Sequence, residues 1–438
     1  MEISDSLLMQ AAKNFGTPLY VYDRETIEKH YLNLNNSFAE EIDIFYSLKA
    51  NPNLSVSALL NQLGAGAEVC SGVELETALL AGYAPQNIIF VGPAKKKEEI
   101  IRALENRIYA IVCESKEELL LINELAKTRS EVANVAIRAN PAFTVRDASL
   151  KMGGIPSQFG IDQEELFKNK NFFLNQSHVN IRGIHVFNGT RILNAETLAE
   201  NTKNIFALAD ELSAAWNQAF DLIDIGGGIG VPYFKNENHF NTEKLKKLLI
   251  PTIFSYKNSH KNTRIILESG RYLVANAGVF MSRIDCIKES RGRQFLITDG
   301  GMNCHLTAAG YGSMLKRNFP LRLVTKNPSH RKNKYHITGP LCTPADTMGQ
   351  DVELSEASPG DFIAIMASGA YGPSASPVLF LGHGHPAEVL IDQGECKLIR
   401  DRDFLEDFLR KQYISPSSKR KARLEEGERG TAIKLSES

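Results

Sequence analysis

The sequence predicts a (β/α)8 barrel of the TIM type followed by an all-β domain. Eight short apolar runs with the composition of strands recur between residues 42 and 270, and stretches with helical periodicity separate them. After Gly270 the pattern changes to strand-like runs joined by turns, without long helices. Repeated strand–helix units form parallel sheets, and eight equivalent strands favour a closed barrel over an open, doubly wound sheet.

The predicted barrel strands share short runs of apolar, β-branched and aromatic residues. They cover residues 42–48, 65–71, 87–92, 110–115, 135–140, 181–188, 222–226 and 264–269. Helical periodicity lies between them, for example over residues 55–63, 74–81, 97–105 and 116–126. Segment 141–180 is longer than an ordinary connection, and long loops inside compact domains are usually functional.

The two ends of the chain have patterns of their own. A short helix and a strand at residues 18–22 are predicted near the N-terminus. The strands predicted after Gly270 are 279–289, 293–299, 335–339, 361–367, 387–392 and 396–400. A last helix is predicted at 403–412, and residues 416–438 are rich in Ser, Lys, Arg and Glu, which predicts disorder.

Composition excludes several classes of function. A chain of 438 residues predicts two domains, and a net charge of −1 argues against nucleic acid as a partner. No apolar run approaches the roughly 20 residues that a membrane span needs, and the acidic N-terminus does not resemble a signal peptide. The six cysteines are scattered without a Cys-x-x-Cys pair, which predicts a cytoplasmic protein without disulfides or a metal site.

The first barrel strand ends in the residue with the most suggestive chemistry. Lys49 follows the apolar run that begins at Ile42 and precedes the turn signal Asn51-Pro52. Desolvation of an ammonium group is costly, so we expect a lowered pKa and a free amine. Such an amine can hold a carbonyl as a Schiff base, and pyridoxal phosphate is a common partner. The alternative is a lysine that snorkels to the rim of the sheet.

Other polar residues fall at the ends of later strands, where the active sites of TIM barrels lie. Glu68 is near the end of the second strand, His185 is in the sixth, and Glu268 and Arg271 end the eighth. His185 is either a satisfied core histidine or a flat ring that stacks on an aromatic cofactor. Arg271 offers a fork of donors to a phosphate.

A glycine run, residues 226–230, ends the seventh strand. Val231 breaks the match to a dinucleotide-binding fingerprint. Consecutive glycines still expose backbone N–H groups to an anion, and this loop is a frequent phosphate site in TIM barrels. The alternative is a tight turn without a ligand.

Two loops of the second domain carry further candidates. Cys342 lies between Pro340 and Pro344, where a thiol is either inert or an acid or nucleophile held in a rigid turn. Tyr371 lies in a glycine-rich loop that another backbone or a ligand could approach closely.

These motifs together resemble the fold-type III pyridoxal-phosphate-dependent decarboxylases, the family of diaminopimelate and ornithine decarboxylases. The resemblance covers roughly residues 15–395. It rests on Tyr46-Ser47-Leu48-Lys49-Ala50-Asn51, His185-Val186, Gly226-Gly227-Gly228-Ile229-Gly230, Glu268-Ser269-Gly270-Arg271, Gly339-Pro340-Leu341-Cys342 with Asp346, and Gly369-Ala370-Tyr371. Within the family the chain looks most like the branch that acts on glutamate linked to an acyl-carrier protein in butirosin biosynthesis. That likeness rests on Lys151-Met152-Gly153-Gly154, Gly230-Val231-Pro232-Tyr233-Phe234, Glu268-Ser269-Gly270-Arg271-Tyr272-Leu273 and residues 376–383.

The resemblance implies domain boundaries and the roles of individual residues. The barrel is expected at 27–275, and residues 1–26 and 276–415 are expected to form the β-domain. The catalytic residues implied are Lys49, His185, Glu268 and Cys342. The cofactor contacts implied are Lys49, Glu68, His185, Gly227, Gly228, Glu268, Gly270, Arg271 and Tyr371. The substrate contacts implied are Arg271, Thr343 and Asp346.

The resemblance also implies a homodimer with shared active sites, in which Cys342 and Asp346 reach the partner's site. Glu268 would keep the pyridine nitrogen protonated, which favours decarboxylation over racemisation. Cys342 would then protonate the carbanionic carbon on one face.

Two departures from the family pattern narrow the range of possible substrates. Asn188 stands where many members have serine beside the phosphate, and Thr343 follows Cys342 where members that bind a distal ammonium often have an acid. Thr343 disfavours free ornithine or lysine and weakens the case for diaminopimelate. An amino acid or an amino-acid conjugate, such as glutamate linked to an acyl-carrier protein, is therefore expected, and Lys95-Lys96-Lys97 is a candidate docking site for an acidic carrier. Diaminopimelate decarboxylase, an amino-acid racemase and a non-catalytic regulator with this fold are the alternatives.

Overall fold

The computed structural model describes residues 3–38, 41–145, 150–234, 236–310, 317–325 and 329–415, with the backbone alone for 150–151. The disorder predicted for 416–438 lies outside these residues. The chain begins with α1 (Asp5–Phe15), β1 (Leu19–Asp23) and α2 (Arg24–Asn35). Ser4 and Asp23 cap the two helices, because their side-chain oxygens accept from the backbone N–H groups of Leu7 and Thr26.

Eight parallel strands form the barrel, and each overlaps one of the predicted strands. They are β2 (Asp43–Ser47), β3 (Gly66–Val69), β4 (Ile88–Phe90), β5 (Ala110–Cys113), β6 (Ala133–Asn140), β9 (Val179–His185), β11 (Leu222–Asp224) and β12 (Arg264–Ser269). Neighbours along the chain pair in parallel, and the pairing of β12 with β2 closes the sheet. The predicted fold class is confirmed.

Helices cover the outside of the barrel. They are α3 (Leu54–Gln62), α4 (Gly72–Leu80), α5 (Lys97–Asn106), α6 (Lys116–Thr128), α7 (Gln163–Lys168), α8 (Lys170–Leu174), α9 (Ala195–Trp216), α10 (Thr242–Ser259) and α11 (Arg271–Val274). One-turn 3-10 helices are Leu48–Ala50, Pro85–Asn87, Ala275–Ala277, Pro373–Ala375 and Phe380–Gly382. Inside the barrel an apolar plug fills the space between the strands; it contains Phe45, Ile89, Val112, Ala136, Leu222 and Ile266.

The described part of the long segment 141–180 pairs with strands at two places. It contributes β7 (Leu150–Lys151) and β8 (Ile161–Asp162), and β7 pairs antiparallel with β10 (Gly189–Thr190) just past β9. The N–H of Met152 donates to the carbonyl oxygen of Asn188 at 2.9 Å. This pairing holds the segment beside the loop that follows β9.

The second domain is a mixed sheet that includes the N-terminal strand. Its other strands are β13 (Gly278–Ser290), β14 (Arg293–Thr298), β15 (Leu321–Val324), β16 (Lys332–Thr338), β17 (Thr347–Ser355), β18 (Phe362–Ile365), β19 (Ala387–Asp392) and β20 (Glu395–Arg400), and α12 (Leu405–Leu409) follows them. Strand β1 lies between β13 and β19. The domain boundaries at 26/27 and 275/276 stay predictions.

The sequence pattern did not predict β15 and β17. Strand β17 buries Met348, Gly349 and Leu354 among polar residues, and its pairing with β16 is irregular. Strand β15 is mostly half-buried and pairs with β18 alone. Neither strand therefore has the clean alternation that sequence patterns detect. Within the described residues, no helix is long and apolar enough to cross a membrane.

Candidate active site

Lys49 lies in the 3-10 turn that follows β2, and its amine meets a buried carboxylate. Nζ donates to Oε1 of Glu68 at 2.8 Å, while the Lys49 side chain keeps 34% of its surface exposed and Glu68 keeps none. Burial alone would lower the pKa of Lys49, but Cys70, Glu68 and Glu268 raise it above its ordinary value. The expected lowering of this pKa was therefore wrong, because desolvation is outweighed by the acidic groups around the ammonium.

Cys70 is a site residue that the sequence analysis missed. Its Sγ–H donates to the same Glu68 oxygen at 2.9 Å and lies 4.0 Å from the amine of Lys49. Burial, and then Glu68, raise the pKa of this thiol, so Cys70 stays a neutral donor at physiological pH. The sequence does carry an indication of this role, because Cys70 lies two residues after the candidate Glu68, and alternate residues of an extended chain point to the same face.

His185 on β9 and Glu268 on β12 form a buried pair, and β11 lies between their two strands. Their Nε2 and Oε1 atoms are 3.1 Å apart, and Nδ1 of His185 is buried with no hydrogen-bond partner in the part of the chain that the structure describes. Although burial by itself would raise it, the pKa of Glu268 lies below its ordinary value because His185 faces it. Glu268 is therefore an anion that can accept a hydrogen bond from a protonated group.

Asp224, the last residue of β11, is the second residue that the sequence analysis missed. Its Oδ1 accepts from the N–H of Gly226 at 2.8 Å, and Oδ2 has no partner within the described part of the chain. Burial, and then the charge of Glu268, raise the pKa of Asp224. One ligand atom each from His185, Asp224 and Glu268 lies within 4.8 Å of the others, a spacing that a cation could also occupy.

The glycine run packs so tightly that side chains are excluded. A Cβ at Gly227 would lie 1.9 Å from the carbonyl oxygen of Glu268, and one at Gly228 would lie 2.1 Å from that of Gly189. Gly228 also has φ +96°, which favours glycine. The backbone here forms a rigid turn beside the strand ends.

Arg271 and Tyr371 complete this end of the barrel. The N–H of Tyr371 donates to the carbonyl oxygen of Ala50 at 2.7 Å, which places this β-domain loop one residue from Lys49. The guanidinium of Arg271 lies 4.5 Å from the Tyr371 ring centroid, and its Nη1 donates to the hydroxyl of Tyr233 at 2.8 Å. Gly270 lets Arg271 approach, because a Cβ there would lie 2.8 Å from the Cβ of Ala50.

Several buried polar atoms in this region have no hydrogen-bond partner among the described residues. They are Oε2 of Glu68, Nδ1 of His185, Oδ1 of Asn188, Oδ2 of Asp224 and Nε of Arg271. Unsatisfied buried groups are costly, and several around one lysine indicate a polar ligand. An amine, an anionic partner for a ring nitrogen and an arginine beside a glycine turn fit pyridoxal phosphate, the cofactor implied by the resemblance.

Cys342 and Thr343 lie elsewhere on the chain. They line an open groove of about 590 Å³ whose walls come from the β-domain alone, residues 295–347, and Cys342 is exposed. Asp346 in the same loop is 2% exposed, and its oxygens accept from the N–H groups of Met302 and Leu341. Asp346 therefore holds two loops together, and its predicted contact with substrate stays untested.

The run Lys95-Lys96-Lys97 is not a uniform basic patch. Lys95 is buried, and its Nζ donates to the carbonyl oxygens of Gly92 and Val112 and to Glu118 at 2.7, 2.6 and 3.0 Å. Lys96 and Lys97 are exposed at the start of α5. The hypothesis that all three lysines dock a carrier is wrong for Lys95, because its charge is already satisfied inside the fold.

Comparison with known proteins gives consistent matches. A family model described as "Pyridoxal-dependent decarboxylase, pyridoxal binding domain" matches residues 24–275. An L-glutamyl-[BtrI acyl-carrier protein] decarboxylase from Niallia circulans is 38% identical over 426 residues, which cover 95% of this chain and 99% of that protein. A diaminopimelate decarboxylase from Methanocaldococcus jannaschii is 33% identical over 418 residues, which cover 93% of this chain and 94% of that protein.

Solved structures agree with these matches. A crystal structure of diaminopimelate decarboxylase from M. jannaschii has a TM-score of 0.84 and 33% identity, with 93% of this chain and 95% of that chain covered. That of a Helicobacter pylori diaminopimelate decarboxylase in complex with L-lysine has a TM-score of 0.83 and 30% identity, with 92% and 98% covered.

Proposed function

Because the chain belongs to the family of pyridoxal-dependent decarboxylases, we propose that it removes CO2 from a glutamyl group attached to an acyl-carrier protein. The enzyme is a carboxy-lyase with pyridoxal phosphate as its cofactor. The observation that carries the substrate proposal is the 38% identity, over 95% of the chain, with a protein named for that substrate.

Bound pyridoxal phosphate supplies an electron sink for the pair of electrons left when CO2 departs. We assign its attachment to Lys49 and the contact with its ring nitrogen to the anionic Glu268. His185 lies beside Glu268 at 3.1 Å and is assigned to the face of the ring.

The phosphate is assigned to the turn at Gly227 and Gly228, to Gly270 and Arg271, and to Tyr371. The unpartnered Nε of Arg271 supports this assignment, since a guanidinium pairs well with phosphate. Glu68 holds the Lys49 amine at 2.8 Å and so orients it at the barrel mouth.

We further propose a homodimer in which Cys342 of one subunit delivers a proton at the site of the other. Support comes from the exposure of Cys342 in a groove built by the β-domain alone. Thr343 is assigned to substrate contact in the same groove. A cytoplasmic location is also proposed, and the six free cysteines support it.

The groove supports a substrate without a distal ammonium. Of the described residues that line it, Asp346 is the one acid, and both its oxygens accept from backbone N–H groups. A free diamino acid would therefore bring a positive charge to a groove whose carboxylate is already engaged. A glutamyl thioester brings no such charge.

The decisive experiment compares CO2 release from glutamyl-carrier protein, free glutamate, meso-diaminopimelate, ornithine and lysine under identical conditions. We expect glutamyl-carrier protein to have the highest kcat/KM, by on the order of 10²-fold, since a site lacking a partner for a charged group discriminates strongly. The Lys49→Ala variant is the inactive control. Efficient turnover of meso-diaminopimelate would instead support the alternative, diaminopimelate decarboxylase, for which relatives that are 33% and 31% identical to this chain are named.

A further inference from the structure

A cluster of arginines and aromatic rings lies beside the proposed phosphate site, and none of the assigned roles uses it. We call it the arginine–aromatic cluster and define it by Arg191, Tyr233, Phe234, Glu237 and Arg317. Arg191 donates through Nη2 to both carboxylate oxygens of Glu237, at 2.9 and 3.1 Å. Arg317 lies 3.8 Å from the ring centroid of Phe234 and 4.0 Å from Glu237.

The cluster runs from the buried site to solvent. Arg271, at the site, lies 5.7 Å from the ring centroid of Tyr233, and the Tyr233 and Phe234 centroids are 6.5 Å apart. Tyr233 is 2% exposed, whereas the Arg317 side chain is 55% exposed. Each step is shorter than 7 Å, so the rings and guanidiniums form a continuous track outward. A cavity of about 660 Å³, lined in part by Tyr233, Phe234 and Glu237, opens alongside it.

The charges of the cluster do not balance. Glu237 is the one carboxylate shared by Arg191 and Arg317, and it also accepts from the N–H of Tyr233 at 2.9 Å. Among the residues that the structure describes, one positive charge of the cluster is left over, and Arg317, at 4.0 Å, is the weaker partner of Glu237. Nε of Arg191 is buried and has no hydrogen-bond partner in the described ranges of the chain, which is a second indication of a ligand at this place.

The backbone of Arg191 is also unusual. Its φ is +58°, in the left-handed region that non-glycine residues rarely adopt. Residues held in such conformations cluster at binding sites, because the surrounding structure must compensate for the strain. The strained residue lies against the glycine run, since a Cβ at Gly230 would lie 3.0 Å from the Cα of Arg191.

From these observations we propose that the arginine–aromatic cluster binds the phosphate of the 4′-phosphopantetheine arm that carries the glutamyl group. Acyl-carrier proteins hold acyl groups as thioesters of this arm, so a phosphate must lie outside the catalytic pocket when the thioester end is inside. Guanidiniums are suited to phosphate, and the guanidinium of Arg317 packs on Phe234, with Cζ 3.8 Å from the ring centroid. The inference rests on the proposed function, because it concerns the carrier of that substrate.

The test uses two substrates that differ by the phosphate alone, glutamyl-4′-phosphopantetheine and glutamyl-pantetheine, with the holoenzyme. The wild type should have a KM about fivefold lower for the phosphorylated thioester, with equal kcat, because charge-assisted hydrogen bonds to phosphate form equally in ground and transition states. Arg317→Gln should remove most of this preference without changing kcat. The preference should also fall as salt is added.

The matched control is Arg331→Gln. Arg331 is likewise exposed and lies 3.8 Å from a single glutamate, Glu356. The Arg331→Gln substitution should leave the preference for the phosphorylated thioester unchanged. Equal KM values for the two thioesters in the wild type would overturn the inference, even though turnover of both would leave the proposed function standing.

A binding measurement separates the two ideas further. Calorimetric titration of the holoenzyme with 4′-phosphopantetheine and with pantetheine reports the phosphate contact even if neither thioester is decarboxylated. Equal affinities would refute the site. If Arg317→Gln weakens binding of carrier protein without its arm as much as binding of the complete carrier, the cluster recognises acidic protein surface and the phosphate assignment is wrong.

Discussion

At the scale of single residues, two neighbouring carboxyl groups have opposite titration behaviour. Glu268 keeps a lowered pKa because His185 lies 3.1 Å away. Asp224 has a raised pKa, because it is buried and faces the charge of Glu268. The pocket therefore holds one stable anion and one group that folding forces towards its neutral form.

Asp224 should accordingly lower the stability of the protein at neutral pH. Its folded-state pKa lies above the unfolded value of about 3.9, so the folded state binds the extra proton and stability falls as the pH rises from about 4. Asp224→Asn keeps the acceptor for Gly226 and removes the ionisation. We expect the cofactor-free variant to be more stable than the wild type at pH 7, with a difference that vanishes below about pH 4, measured by urea unfolding.

Asp403 provides a control of opposite sign. Burial alone would raise its pKa, but hydrogen bonds from His385 lower it below its ordinary value. The contribution of Asp403 to the stability of the fold is present above its unfolded pKa and is lost as the pH falls. The Asp403→Asn variant should therefore be less stable than the wild type at pH 7. The same direction of change in both variants would contradict the assignment of Asp224.

At the scale of elements, the connection between β4 and α5 depends on one buried lysine. Lys95 satisfies two carbonyl oxygens and Glu118, which is itself 8% exposed. Lys95→Met should cost roughly 3 kcal/mol in the free energy of unfolding, because it leaves a carboxylate buried without its cation. Chemical denaturation followed by circular dichroism measures this.

The next lysine along the chain is the matched control. Lys96 is exposed, and its N–H, not its side chain, donates to Glu99 at 2.8 Å. Lys96→Met should change the free energy of unfolding by about 0.5 kcal/mol or less. Equal effects of the two substitutions would mean that the Lys95 network does not stabilise the connection.

At the scale of the whole molecule, the separation of Lys49 from Cys342 makes the assembly testable. Lys49 is at the barrel mouth, and Cys342 lies in the β-domain groove. If sites are shared between subunits, Lys49→Ala and Cys342→Ala are each inactive, but a mixed dimer contains one intact site. Mixing the variants under conditions of subunit exchange should restore up to about a quarter of the wild-type activity, as expected for random pairing across a shared site.

The control is the same mixture kept under conditions in which subunits do not exchange, and it should stay inactive. Exchange itself is checked by mass spectrometry of dimers with one labelled subunit. No recovery of activity despite proven exchange would indicate a site complete within one chain.

The sequence by itself determined the architecture and the family. Short apolar runs separated by helical patterns predicted all eight barrel strands, because strands buried on both sides must be apolar and their number limits the topology. The sequence also predicted which residues meet at the site, because parallel strands bring their carboxyl ends to one edge. These residues are Lys49, Glu68, His185 and Glu268. The structure brings these four residues together.

Tertiary structure decided what depends on the surroundings of a residue. The pKa of Lys49 is raised rather than lowered, because the carboxylates of Glu68 and Glu268, which come from other strands, lie close to the amine. Lys95 and Lys96 are adjacent in sequence and alike in chemistry, yet one is buried and the other exposed. The roles of Cys70 and Asp224 likewise arise from contacts across the barrel. The protonation state, the burial and the hydrogen bonds of a residue depend on its neighbours in space, and the fold determines which residues those neighbours are.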